Sequence, residues 1–125
     1  MGDKLIYKEE AFRIIGCCME VHKVLGKGFQ EIVYKEALEY EFKRNNIPFE
    51  REKEFKIYYK DIVLSRCYYS DFVIFNKIIL EAKAIECLTS SHLKQTLNYL
   101  AASNLRLGLL INFGEDSLKY KRIVL

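Results

Sequence analysis

Two stretches of this chain place charge where a strand has least room for it. Ser70-Asp71-Phe72-Val73-Ile74-Phe75 and Ile78-Ile79-Leu80-Glu81-Ala82-Lys83 are apolar, β-branched runs of strand length. Such runs read as strands covered on both faces. A carboxylate buried there without a partner is costly, so Asp71, Glu81 and Lys83 must find partners or serve a site. An Asp and a Glu together offer hard oxygen ligands, which suit Mg²⁺ or Mn²⁺. A neighbouring lysine can stabilise a hydroxide or the charge developing on a phosphorane. The competing reading is a structural ion pair between Lys83 and one of the acids. Spacing alone does not separate the two.

Register sets a geometric condition on the first reading. A two-residue loop at Asn76-Lys77 pairs residue 71 with 82 and sends Asp71 and Glu81 to opposite faces. If the loop holds an odd number of residues centred on 76, or contains a bulge, Asp71 lies opposite Glu81. Lys83 then shares the face of Glu81 by the period of two.

The rest of the chain bounds the setting. Its 125 residues are half hydrophobic, with nine Tyr and eight Phe, which describes one folded domain over 1–125. A net charge of +3 permits nucleic-acid binding without arguing for it. Cys17, Cys18, Cys67 and Cys87 form no C-x-x-C pair, and no His is spaced to complete a zinc site. A reducing, cytoplasmic setting is therefore expected. The first ten residues lack an apolar signal region, and Ile6 stands where myristoylation of Gly2 wants Ser or Thr. No apolar run reaches the length of a membrane span.

Periodicity predicts the elements. A helix runs from about 7 to 25, with Ala11, Ile14, Ile15, Cys18, Val21 and Leu25 on one face, and Gly26-Lys27-Gly28 ends it. A second helix runs from about 29 to 44, with Phe29, Ile32, Val33, Ala37, Leu38 and Tyr40 inward, and closes before Pro48. Residues 49–59 alternate as a half-exposed strand; 62–75 and 78–85 follow as antiparallel strands. Ser90 or Ser91 caps a third helix ending near 102, with Leu93, Leu97 and Leu100 facing the core. Residues 105–113 form a buried strand, and 121–125 add a last one. The order gives an α/β layered domain with a mixed sheet.

Other polar residues have ordinary readings at this level. Gln95 and Tyr99, four apart, share a helix face near His92, which is most simply a solvated stripe. Glu31 in the first turn of the second helix is explained by the helix dipole. His22 reads as a satisfied structural histidine, and Lys119, Lys121 and Arg122 as a solvated basic cluster.

Taken together, the motifs resemble a known family. Gly28-Phe29-Gln30-Glu31-Ile32-Val33-Tyr34 fits the G-x-x-E-x-x-Y signature of the GxxExxY proteins. Glu20 to Gly26 and Leu109-Leu110-Ile111-Asn112-Phe113-Gly114 are similar to that family as well, and the likeness spans about 14–124. GxxExxY proteins are placed in the PD-(D/E)xK nuclease superfamily. The resemblance implies a restriction-endonuclease-like core, a mixed sheet flanked by helices, with an extra N-terminal helix. It implies that Asp71, Glu81 and Lys83 are the superfamily's catalytic Asp and E-x-K. Glu31 then takes the place of the helical acid of the exonuclease-like branch, and Gln95 with Tyr99 that branch's substrate-positioning Q-x-x-x-Y. Metal ligands would be Asp71, Glu81, the Ala82 carbonyl and Glu31. The departures are Ser70 in place of the Pro before the Asp, Lys27 between the two glycines and Asp61 at a turn glycine. The implied function is a Mg²⁺- or Mn²⁺-dependent nuclease acting on nucleic acid, DNA first, without membrane association and with a homodimer as one way to add DNA affinity. The alternative is a non-catalytic nucleic-acid- or protein-binding module on the same fold.

Overall fold

A computed structural model describes residues 5–125. The reading of the first residues, Gly2 included, lies outside the described residues. The elements in chain order are α1 (Lys8–Leu25), α2 (Glu31–Arg44), β1 (Phe49–Tyr59), β2 (Ile62–Ile74), β3 (Ile78–Lys83), α3 (Ser90–Ser103), β4 (Leu107–Asn112) and β5 (Lys119–Val124).

One sheet runs β1-β2-β3-β4-β5 across the molecule. It is mixed: β3 and β4 are parallel, joined through α3, and the other neighbours are antiparallel. A parallel pair cannot be joined by a tight turn, which is why a helix separates these two strands in the chain. β3 and β4 are buried almost throughout, as their unbroken apolar runs require.

The sheet separates two cores. On one face α1 and α2 bring Ile14, Cys18, Tyr34, Leu38 and Phe42 against Phe72, Ile74, Leu80, Leu109 and Ile111. On the other, α3 brings Tyr99 and Leu100 against Val73, Ile79, Leu110 and Ile123. Period-two alternation therefore assigns faces: Phe72, Leu80 and Ala82 point toward α1 and α2, and Val73 and Ile79 toward α3. α3 sits close, since a Cβ on Gly108 of β4 would lie 2.7 Å from Thr96 Cγ2.

Several local expectations are revised. The inward stripe of α2 is Tyr34, Leu38 and Phe42, whereas Phe29, Ile32 and Tyr40 are exposed. The α3 cap is Thr89, not Ser90 or Ser91: its N–H donates to His92 Nδ1 at 3.0 Å. That contact also assigns His92 a capping role. The β2–β3 turn is not the two-residue loop Asn76-Lys77. Phe75 and Asn76 both adopt left-handed backbone (φ 56° and 59°), and the Lys77 N–H donates to the Ile74 carbonyl at 3.1 Å. Lys77 adds a third loop residue, so Ile74 pairs with Ile78 and Phe72 with Leu80. The Phe75 N–H donates to the Pro48 carbonyl at 2.9 Å. That long-range contact holds an aromatic residue in a conformation its own preference disfavours.

Candidate functional site

The three-residue loop centres the hairpin on residue 76. Continuing its register one step past Phe72–Leu80 sets Asp71 opposite Glu81, on the α3 face. At that step side chains replace the backbone ladder. The Asp71 N–H donates to Glu81 Oε2 at 2.9 Å, and the Ala82 N–H donates to Asp71 Oδ2 at 2.9 Å. Each acid is thus held by the other strand's backbone. On the other edge of β2, the β1 ladder skips the Asp71 step opposite Glu52, whose backbone is left-handed (φ 50°).

Glu81 is 3 % exposed. Burial first, and then the adjacent Asp71 charge, push its carboxyl up to about 8, against the opposing pull of the Asp71 N–H and of Lys83 and Lys35. Tyr99 is buried on α3 with its ring 5.2 Å from that of Tyr68. Burial and the charges of Glu81 and Asp71 push its hydroxyl up to about 12.

Lys83 follows Glu81 by two residues and shares its face. Its Nζ donates to Gln95 Oε1 at 3.2 Å, so β3 and α3 meet over the acid pair. Gln95 itself is exposed. From the other side of the sheet, α2 brings Glu31 to the border of the cluster through Lys35. The Lys35 Nζ lies 2.7 Å from Asp71 Oδ1 and 3.1 Å from Glu31 Oε1. Burial works against the Lys35 charge, but the Asp71 and Glu31 carboxylates outweigh it and raise its pKa above the ordinary lysine value.

Asp71, Glu81, Ala82 and Lys83 on the sheet, Gln95 and Tyr99 on α3 and Glu31 on α2 thus border one place. Among the described residues, Lys83 makes no ion pair with either acid; the ammonium that pairs with Asp71 is that of Lys35. Sequence reasoning missed Lys35, because one lysine in the charge-rich helix EIVYKEALEYEFKR looks like part of a solvated face. The available signal was its i,i+4 spacing from Glu31. It also missed the role of Asn112, which it read as part of the buried strand 105–113. Asn112 is buried, and its Oδ1 accepts from the N–H groups of Ile85 (3.0 Å) and Gly114 (3.1 Å). Its Nδ2 donates to the Ile85 carbonyl (3.0 Å) and Glu115 Oε2 (2.9 Å). With the Phe113 N–H on the Lys83 carbonyl at 2.8 Å, this fixes the chain just beyond Lys83. A polar residue ending the apolar run before a glycine was its signal.

The donor set suits a hard divalent cation: two carboxylates at one ladder step, one of them buried, with a third on α2. Among the described residues, no three His, Cys, Asp or Glu side chains already converge as a ligand cage. The Lys35 ammonium stands between Glu31 and Asp71 instead.

The fold and the paired acids at the splayed end of β2 and β3 define an α/β domain of the restriction-endonuclease-like class. Residues 8–123 match the family model of the PD-(D/E)XK nuclease superfamily, and the chain belongs to that superfamily. The crystal structure of SSO0001 has the same fold, with a TM-score of 0.61 at 24 % identity, covering 75 % of this chain and 50 % of that one. The chain therefore spans about half the length of that protein. No curated protein matches the sequence. Among the described residues, no helix is long and apolar enough to cross a membrane.

Proposed function

We propose that the chain is a Mg²⁺- or Mn²⁺-dependent nuclease that hydrolyses phosphodiester bonds, with DNA as its first substrate class, and that it is a GxxExxY protein within the superfamily. The observation that carries this reading is the reciprocal clasp of Asp71 and Glu81. Two like-charged carboxylates are pinned at one ladder step, one of them so buried that it resists ionising. Such a pair needs a cation of higher charge than one lysine to ionise fully.

Asp71, Glu81 and the Ala82 carbonyl are the residues that would hold the ion, with Glu31 as a further direct or water-mediated ligand. A divalent ion there supplies Lewis acidity, lowering the pKa of a water and neutralising phosphate charge. Lys83, steadied by Gln95, presents its ammonium beside the acids, where it orients the nucleophile and stabilises charge developing on the phosphoryl oxygens. Exposed Gln95 and buried Tyr99 give α3 an edge that positions the substrate over the pair.

The test is cleavage of labelled single- and double-stranded DNA and RNA with Mg²⁺ or Mn²⁺. Wild type is expected to cleave. Lys83→Ala is expected to fold and bind metal normally but to cleave about 10²–10³-fold more slowly, the loss typical of one electrostatic stabiliser. Equal rates would remove Lys83 from the mechanism. Absence of cleavage on every substrate, with metal bound, would favour a binding module that keeps the nuclease fold.

A further inference from the structure

Lys35 has no part in the reaction above, yet it makes the most central contact in the cluster. Its side chain is 14 % exposed, and its single ammonium bridges Asp71 Oδ1 at 2.7 Å and Glu31 Oε1 at 3.1 Å. The other Asp71 oxygen, Oδ2, is taken by the Ala82 N–H. Both oxygens of Asp71 are therefore engaged. An ion that is to use Asp71 Oδ1, and Glu31 beside it, meets an ammonium already at hydrogen-bonding distance from both. Two cations at contact distance on one carboxylate repel strongly in a half-buried site. One must leave.

We propose that Lys35 is a built-in counter-ion that competes with the divalent cation for Asp71 and Glu31, and so sets how tightly the site takes metal. The proposal rests on the metal-site reading given above. Without metal, the ammonium stabilises a cluster of three acids drawn from β2, β3 and α2, and ties α2 to the sheet. When an ion arrives, the flexible four-carbon stem lets the ammonium swing off Asp71 Oδ1 toward solvent. The exchange replaces one positive charge by two, which is what a cluster of three carboxylates favours. Lys35 is thus a positioning residue that governs loading.

The experiment is a calorimetric titration of Mn²⁺ into wild type, Lys35→Gln, Lys35→Met and Lys35→Arg, with melting temperatures in EDTA and in saturating Mn²⁺. The Gln and Met variants are expected to bind Mn²⁺ about tenfold more tightly or better, since one contact charge has been removed. They are expected to melt lower than wild type in EDTA and to recover in Mn²⁺. Lys35→Arg, which keeps the charge, is expected to keep the weaker affinity of wild type. Mn²⁺ affinity in Lys35→Gln equal to or below wild type would overturn the proposal and leave the metal site standing. Mn²⁺ binding by the Gln variant alone would support it. Silence in every chain would end both readings. Should neither neutral variant fold in EDTA, folding in Mn²⁺ supports the proposal and failure in both media overturns it.

Discussion

At Glu81, burial and the neighbouring Asp71 charge act in the same direction, and both favour the protonated carboxyl. The folded chain therefore holds a proton that the unfolded chain releases near the ordinary glutamate value of 4.5. This contribution to stability is fully present below about pH 4.5. It is lost progressively as pH rises toward about 8, where the folded form must ionise a buried acid. Melting temperature in EDTA, followed from pH 5 to 9, should fall more steeply for wild type than for Glu81→Gln, which keeps the shape without the ionisation. Parallel curves would show that Glu81 is ionised throughout. Residues of this kind were legible in the sequence because charge inside apolar, strand-length runs is unusual on physical grounds. Lys35 was not, since the partner that gives it a role, Asp71, comes from β2, while Glu31 one turn back on the same helix reads as an ordinary i,i+4 pair.

At the scale of elements, the stretch from Gly28 to Tyr34 does two separate things. Gly28 adopts φ +113°, open only to glycine at low cost, and lets the chain turn from α1 into α2. Tyr34 is fully buried and stacks on Phe113 at 4.7 Å. Its hydroxyl donates to the Gly26 carbonyl at 2.6 Å and accepts the Phe29 N–H at 3.2 Å. The glycine and tyrosine thus hold the loop that starts α2, and α2 delivers Glu31 and Lys35. Tyr34→Phe keeps the stacking but leaves the Gly26 carbonyl and the Phe29 N–H without their hydroxyl partner. It should lower stability by about 0.5–1.5 kcal/mol in a denaturant titration; an unchanged midpoint would deny the hydroxyl its structural role. The helices and strands themselves were legible from periodicity to within a few residues at their ends. The α2 face was not, because Phe29, Ile32 and Tyr40 are as apolar as the residues that won. Tyr34, Leu38 and Phe42 at i, i+4 and i+8 face the core because Tyr34 is pinned there by the loop. The choice between the two-residue β2–β3 turn and the odd loop centred on 76 stayed open for a similar reason: a left-handed Phe75 is held by Pro48, some distance away in the chain, rather than by local preference.

Across the whole molecule, the chain uses one mixed sheet to bring acids from two strands together under α3 while α2 closes the cluster from the other side. The α/β class and the mixed sheet were legible from the alternation of patterns and from the resemblance; whether Asp71 and Glu81 meet depended on a single loop residue, which only the folded backbone decides. The central claim is that these two acids form a divalent-cation site. Its most direct test is calorimetric titration of Mn²⁺ into wild type and Asp71→Asn, with circular dichroism confirming that both are folded. The account predicts one saturable site in wild type that Asp71→Asn weakens strongly, since the amide offers no charge and only one oxygen. Equal binding by the two proteins, or none by wild type and none by Lys35→Gln, would contradict it.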